Sequence, residues 1–141
     1  MSFPSEILVK GVVFSDQGRA RAFLGVDWVR AAIRERMGFD PYPGTLNLRI
    51  RDDDVNRWEE VRRQDVKIPL PSLDSDFCNA FLFKGFLEGW PAKMGPPERI
   101  AVVLPAVRDY PADKLEIIAA VSLKQTHWVR NGDELAVVFD V

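Results

Sequence analysis

Runs rich in β-branched and apolar residues, separated by glycine- and proline-bearing turns, dominate the chain, and two stretches with helical spacing interrupt them. Ile7 to Phe14 reads as a first strand. It gives way to a polar loop, Ser15-Asp16-Gln17-Gly18-Arg19-Ala20-Arg21, with a single glycine. Asp27 is expected to cap a helix running to about Met37, because Val29, Ile33 and Met37 recur every four residues while Arg30 and Arg34 face away. Gly38 is a natural stop. The turn Pro41-Tyr42-Pro43-Gly44 then opens a strand to Ile50, with Leu46, Leu48 and Ile50 on one face and Thr45 and Asn47 on the other.

Asp52, Asp53 and Asp54 read as the acidic start of a second short helix. Val55, Trp58 and Val61 form its apolar stripe, and Arg62 and Arg63 suit the negative end of its dipole. The triple aspartate lacks the spacing of a calcium loop, so helix capping is the preferred reading. From Val66 onward strands are expected at Val66–Leu70, Cys78–Leu87, Arg99–Leu104, Leu115–Ala120 and Leu135–Phe139. Proline-rich breaks at 69–71 and 91–97 punctuate them, and Asn131-Gly132-Asp133 signals a tight turn before the last strand. The pattern predicts a mainly β fold: a compact, closed barrel of six strands with two short α-helices, since closure removes exposed strand edges.

At 141 residues, with no repeat, no low-complexity tract and no internal boundary, residues 1–141 are expected to form one domain. Apolar residues at 47% and charged residues at 28% suit a packed globule and are too apolar for a disordered chain. No apolar run approaches the ~20 residues of a membrane span. The first six residues show neither a basic start nor an apolar signal core, so a cytoplasmic monomer is expected. A net charge of −2 argues against a nucleic-acid partner. Arg19, Arg21, Arg30, Arg34, Arg36 and Arg49 nevertheless crowd the first third, which suits a local anion site or a solvated helix face.

Cys78 and His127 are the only cysteine and histidine. Internal disulfides, cysteine-based zinc sites and the usual nucleophilic triads are therefore not indicated. Cys78 is expected to be a buried thiol within an apolar strand, and His127 a surface or hinge residue. Thr45 and Asn47 carry more chemistry. A hydroxyl and an amide carbonyl two residues apart on one strand face are hard, neutral oxygens of the kind that hold hydrated magnesium when phosphates supply the charge. They also suit an edge strand whose polar residues face water.

Several segments, in order, resemble the archaeal-type CTP-dependent riboflavin kinase family. These are Gly11-Val12-Val13-Phe14-Ser15 with the loop through Phe23, Gly38 to Leu48, Ala101 to Pro105, Leu115-Glu116-Ile117-Ile118-Ala119, Ser122-Leu123-Lys124 and Asn131 to Glu134. The Gly-Thr-Leu-Asn and Leu-Glu-Ile-Ile-Ala blocks are the specific parts. The resemblance implies a six-stranded cradle-loop barrel that transfers the terminal phosphoryl group of CTP to riboflavin, giving FMN and CDP. It implies Mg2+ held by Thr45 and Asn47. It also implies nucleotide contacts from Ser15, Asp16, Gln17, Gly18, Arg19, Ala20 and Arg21 and from Val121, Ser122, Leu123 and Lys124. Flavin contacts would come from Asp109 and Glu116, and Glu116 is counted with Thr45 and Asn47 among the catalytic residues.

The chain departs from the family pattern where phosphate should lie. A Gly-x-Gly-x-Gly loop is reduced to Asp16, Gly18 and Ala20, which removes backbone freedom and adds a carboxylate that Arg19 and Arg21 would have to offset. Asp109 stands where a threonine is usual, and Lys124 replaces an arginine, keeping charge but losing bidentate reach. Two other readings follow: a flavin- or nucleotide-binding barrel with weak or no transfer, and a DNA-binding regulator barrel. Acidic pI and excess length disfavour the last.

Overall fold

The computed structural model describes residues 6–15, 19–74, 77–89, 98–126 and 129–141, with the backbone alone for 19–21. Seven strands and four helices occur along these residues: β1 (Glu6–Phe14), α1 (Arg19–Leu24), α2 (Asp27–Met37), β2 (Leu46–Ile50), α3 (Asp52–Arg63), β3 (Ile68–Leu70), β4 (Ala80–Gly89), β5 (Glu98–Pro105), β6 (Lys114–Ile118), α4 (Leu123–Thr126) and β7 (Glu134–Asp140). Every pairing is antiparallel. Six strands run β4-β5-β6-β2-β1-β7 and close when β7 pairs back onto β4. β3 sits beside the first half of β4, ahead of the stretch that β7 occupies. The expected six-stranded barrel is therefore present, with one short extra strand.

Closure demands a tight seam. Gly85 pairs with Phe139 where β7 meets β4, and a Cβ there would lie 2.7 Å from the Val138 carbonyl oxygen. Only glycine lets the two backbones approach this closely.

The alternation read from the sequence sorts residues into two cores. Leu46, Leu48 and Ile50 turn into the barrel together with Val9, Val13 and Leu115. α3 plugs one end. Its Trp58 is fully buried, stacked on Phe139 at 5.4 Å and edge-on to Phe83 at 5.0 Å. A second cluster lies outside the barrel, where Leu24 of α1 and Val29, Ile33 and Met37 of α2 cover Leu82, Ala101, Val103 and Ile118. The four-residue spacing predicted for α2 marks this covering face.

Four expectations need correction. The segment read as a polar loop to Arg21 turns helical at Arg19, and α4 adds a second unexpected helix, so there are four helices instead of two. Six and four residues are too few to display an apolar period. Asp27 is not a cap: Val26 holds that position without a side-chain hydrogen bond, and Asp27 is the first helical residue. Arg51 likewise precedes α3, so Asp52–Asp54 act through the dipole, with Asp54 buried and paired to Arg57 at 3.6 Å. Cys78 is exposed, because β4 begins only at Ala80. His127 and the 91–97 break lie outside the described residues.

Candidate functional site

The turn before β2 is fixed at both ends. Gly44 N–H donates to the Tyr42 carbonyl at 2.8 Å around Pro43, and Tyr42 N–H donates to the Ala119 carbonyl at 2.8 Å just beyond β6. Thr45 thereby enters the strand with its side chain on the face away from the barrel core. Asn47, next on that face, is only 8% exposed. A buried amide needs a partner, and Thr45 supplies one: its Oγ1 donates to Asn47 Oδ1 at 3.2 Å.

The register of β2 with β6 brings Glu116 directly opposite Asn47, and that of β1 with β2 brings Phe14 to its other side. Opposed residues in an antiparallel pair share a face. Glu116 is half-buried and ion-paired with Lys114 at 3.1 Å. Further along, Arg49 lies over the Phe14 ring at 4.6 Å and pairs with Asp113 at 3.3 Å.

Beside this strand face opens a cleft of about 280 Å³, whose wall includes Tyr42, Thr45, Val121, Ser122, Leu123 and Lys124. Thr45 lines the cleft, while Asn47 and Glu116 stand behind it, outside the wall. Ser122 starts α4, accepting from the Gln125 N–H through its Oγ at 3.4 Å and from the Thr126 N–H through its carbonyl at 2.8 Å. Leu123 is buried in the barrel core and anchors that helix. Lys124, one residue on, is exposed, and its Nζ lies 3.4 Å from Ser15 Oγ at the end of β1.

Thr45, Asn47 and Glu116 are thus adjacent, and Ser15, Ser122, Leu123 and Lys124 gather at the neighbouring rim. Asp109 is exposed in the β5–β6 connection. Asp16, Gln17 and Gly18 lie outside the described residues, and Arg19, Ala20 and Arg21 enter only as the first backbone turn of α1. Sequence reasoning missed Tyr42, Lys114 and Asn131 as parts of this region. Asn131 bonds Ser15 across 116 positions, and the sequence marks it only as part of a turn within a segment that resembles the family.

Among the described residues no three His, Cys, Asp or Glu side chains form a metal-binding group. A cation here would lean on neutral oxygens and on charge brought by a ligand. Thr45 Oγ1 and Asn47 Oδ1 fit that task. Two adjacent ligands of an octahedral ion with bonds near 2.0–2.1 Å are about 2.9 Å apart, close to the 3.2 Å seen here. The Thr45 hydroxyl proton would then turn to another acceptor. No helix of the described residues is long and apolar enough to cross a membrane.

Comparison with known proteins identifies the family. The family model CTP-dep RFKase, described as "Domain of unknown function DUF120", matches residues 13–139. A curated riboflavin kinase of Archaeoglobus fulgidus is 35% identical over 130 residues, covering 90% of this chain and 52% of that protein. Riboflavin kinases of Ignicoccus hospitalis and Saccharolobus solfataricus are 29% and 28% identical, with 94% and 93% of this chain and 70% and 73% of theirs covered. The chain spans about half the length of the Archaeoglobus relative.

Proposed function

Since the chain belongs to the CTP-dependent riboflavin kinase family, we propose that it works as a single domain moving the terminal phosphoryl group of CTP to the 5′-hydroxyl of riboflavin. The hydroxyl oxygen bonds to the γ-phosphorus, the bond from that phosphorus to the β–γ bridging oxygen breaks, and FMN and CDP result. The hydroxyl proton passes to solvent. The observation that carries this reading is that Thr45, whose Oγ1 lies 3.2 Å from Asn47 Oδ1, lines a cleft that Lys124 also lines.

Thr45 and Asn47 would hold a divalent cation, magnesium by the hardness of the donors, which when bound neutralises phosphate charge. The remaining work falls to the chain's own groups. Phosphoryl transfer needs in-line positioning and charge stabilisation more than covalent help, which suits a cleft with no histidine or cysteine in its wall among the described residues. Lys124 supplies positive charge at the rim. Val121 and Ser122 face the nucleotide, and by the family resemblance Ser15 to Arg21 serve its phosphates. Glu116, held by Lys114, accepts a hydrogen bond from the flavin. Asp109 faces the phosphate end of the product. The reaction runs in the cytoplasm, on a monomer.

The test is to incubate the chain with riboflavin, CTP and magnesium and to resolve the flavins by anion exchange. FMN should appear with an equal amount of CDP, and chelation of the metal should abolish both. Flavin binding without FMN, with any nucleoside triphosphate, would overturn the kinase reading and leave a binding barrel.

A further inference from the structure

Among the described residues, several cations are committed to carboxylates. Arg30, Arg34, Arg49, Arg51, Arg57 and Lys114 pair with carboxylates at 3.1–3.6 Å. Lys124 differs. Its described partners are two neutral oxygens, Asn131 Oδ1 at 3.2 Å and Ser15 Oγ at 3.4 Å. Among the described residues no carboxylate pairs with it, and it stands at the rim of the cleft that Thr45 lines.

The residue that does the holding is Asn131. Its Nδ2 donates to Ser15 Oγ at 2.8 Å while its Oδ1 accepts from Lys124, so one amide joins the end of β1 to α4. The turn that carries the amide is stapled to β1. Gly132 N–H donates to the Val13 carbonyl and Val13 N–H to the Asp133 carbonyl, both at 2.8 Å. Arg130 N–H closes the turn on Asp133 Oδ2 at 2.8 Å. Gly132 takes φ 91° with open space around its absent side chain, so backbone conformation alone selects glycine. A lysine ammonium is a compact point charge on a flexible stem. Two neutral acceptors orient it toward an anion without themselves neutralising it.

We propose that Asn131 is a positioning residue for the nucleotide: it aligns Lys124 beside Ser15 so that the ammonium meets the polyphosphate of a nucleoside di- or triphosphate. The inference rests on the kinase reading for the identity of the ligand. It adds a residue that acts through others without touching the reacting atoms.

A double-mutant cycle tests it, with Asn131→Ala, Lys124→Met and the pair together. CDP binding with magnesium is read by calorimetry, and KM for CTP and for riboflavin by steady-state kinetics. Asn131→Ala should weaken CDP binding and raise KM for CTP about ten-fold, the size of one charge-assisted hydrogen bond, with riboflavin KM moving less than about two-fold. The pair should bind no worse than Lys124→Met alone, because both changes remove one interaction. Unchanged nucleotide affinity in Asn131→Ala, equal shifts in both KM values, or additive penalties would overturn the proposal. Thermal melting verifies folding, and Asn131→Ser replaces the alanine variant should that one not fold. CDP binding by the unaltered protein with no FMN formed would refute the kinase reading yet leave the role of Asn131 standing. Absence of CDP binding would refute both.

Discussion

Asn47 is a buried amide whose described partner is the hydroxyl that would share its metal. Thr45→Ala and Asn47→Ala should each lower turnover by at least about 100-fold, the scale of losing one well-aimed charge stabiliser. Thr45→Ala should change folding stability by no more than ~1 kcal/mol, since the hydrogen bond it removes is an ordinary one; kinetics and denaturant melts on the same samples check both. Lys114→Met leaves the half-buried Glu116 carboxylate without its counter-charge and should cost roughly 1–3 kcal/mol by urea unfolding. Asp40 offers a pH test. Desolvation pushes its carboxyl up, but hydrogen bonds and charge from Arg30 and Arg34 outweigh this and hold it below its ordinary value. A group depressed in the folded state stabilises above its unfolded pKa and loses that contribution as pH falls through the folded value. The melting temperature of the unaltered protein should therefore exceed that of Asp40→Asn at neutral pH, and the two should converge in acid below the usual aspartate range. Thr45 and Asn47 were legible because strand periodicity alone puts them on one face. The Ser15–Lys124–Asn131 cluster was not, because it joins residues separated by up to 116 positions.

At the scale of elements, α3 shows how a polar-looking helix becomes a barrel plug. Asp52, Asp53 and several arginines coat it, yet Trp58 enters the core between Phe83 and Phe139. Trp58→Ala should destabilise the fold by about 3–5 kcal/mol, the usual cost of emptying an aromatic site, as measured by equilibrium unfolding. The stripe Val55, Trp58 and Val61 made this helix readable, and the period of Val29, Ile33 and Met37 gave α2 its observed bounds. α1 and α4 escaped notice because each is little more than one or two turns. Their formation depends on tertiary contacts such as burial of Leu24 and Leu123, which no local pattern displays. Caps failed for a related reason. Acidic residues inside the first turn satisfy the dipole as well as a cap would, so composition alone does not separate the two.

For the whole molecule, the seam between β4 and β7 turns a sheet into a barrel and holds the two rims in register. Gly85→Ala should press a methyl group onto the Val138 carbonyl and cost roughly 1–3 kcal/mol, with earlier loss of protection in β7 by hydrogen exchange. The six barrel strands followed from the spacing of apolar runs and turns, whereas the short β3 was not counted in the ring. Which strands close the ring did not follow, because pairings such as that of Gly85 with Phe139 are set by the fold rather than by neighbours in sequence. The barrel brings the ends of β1, β2 and β6 to one place, and the proposed chemistry depends on that meeting. Its most direct test is formation of FMN from riboflavin, CTP and magnesium by the unaltered chain and by the folded double variant Thr45→Ala/Asn47→Ala. The account predicts FMN and CDP from the first and none above background from the second. Equal rates from both would contradict it.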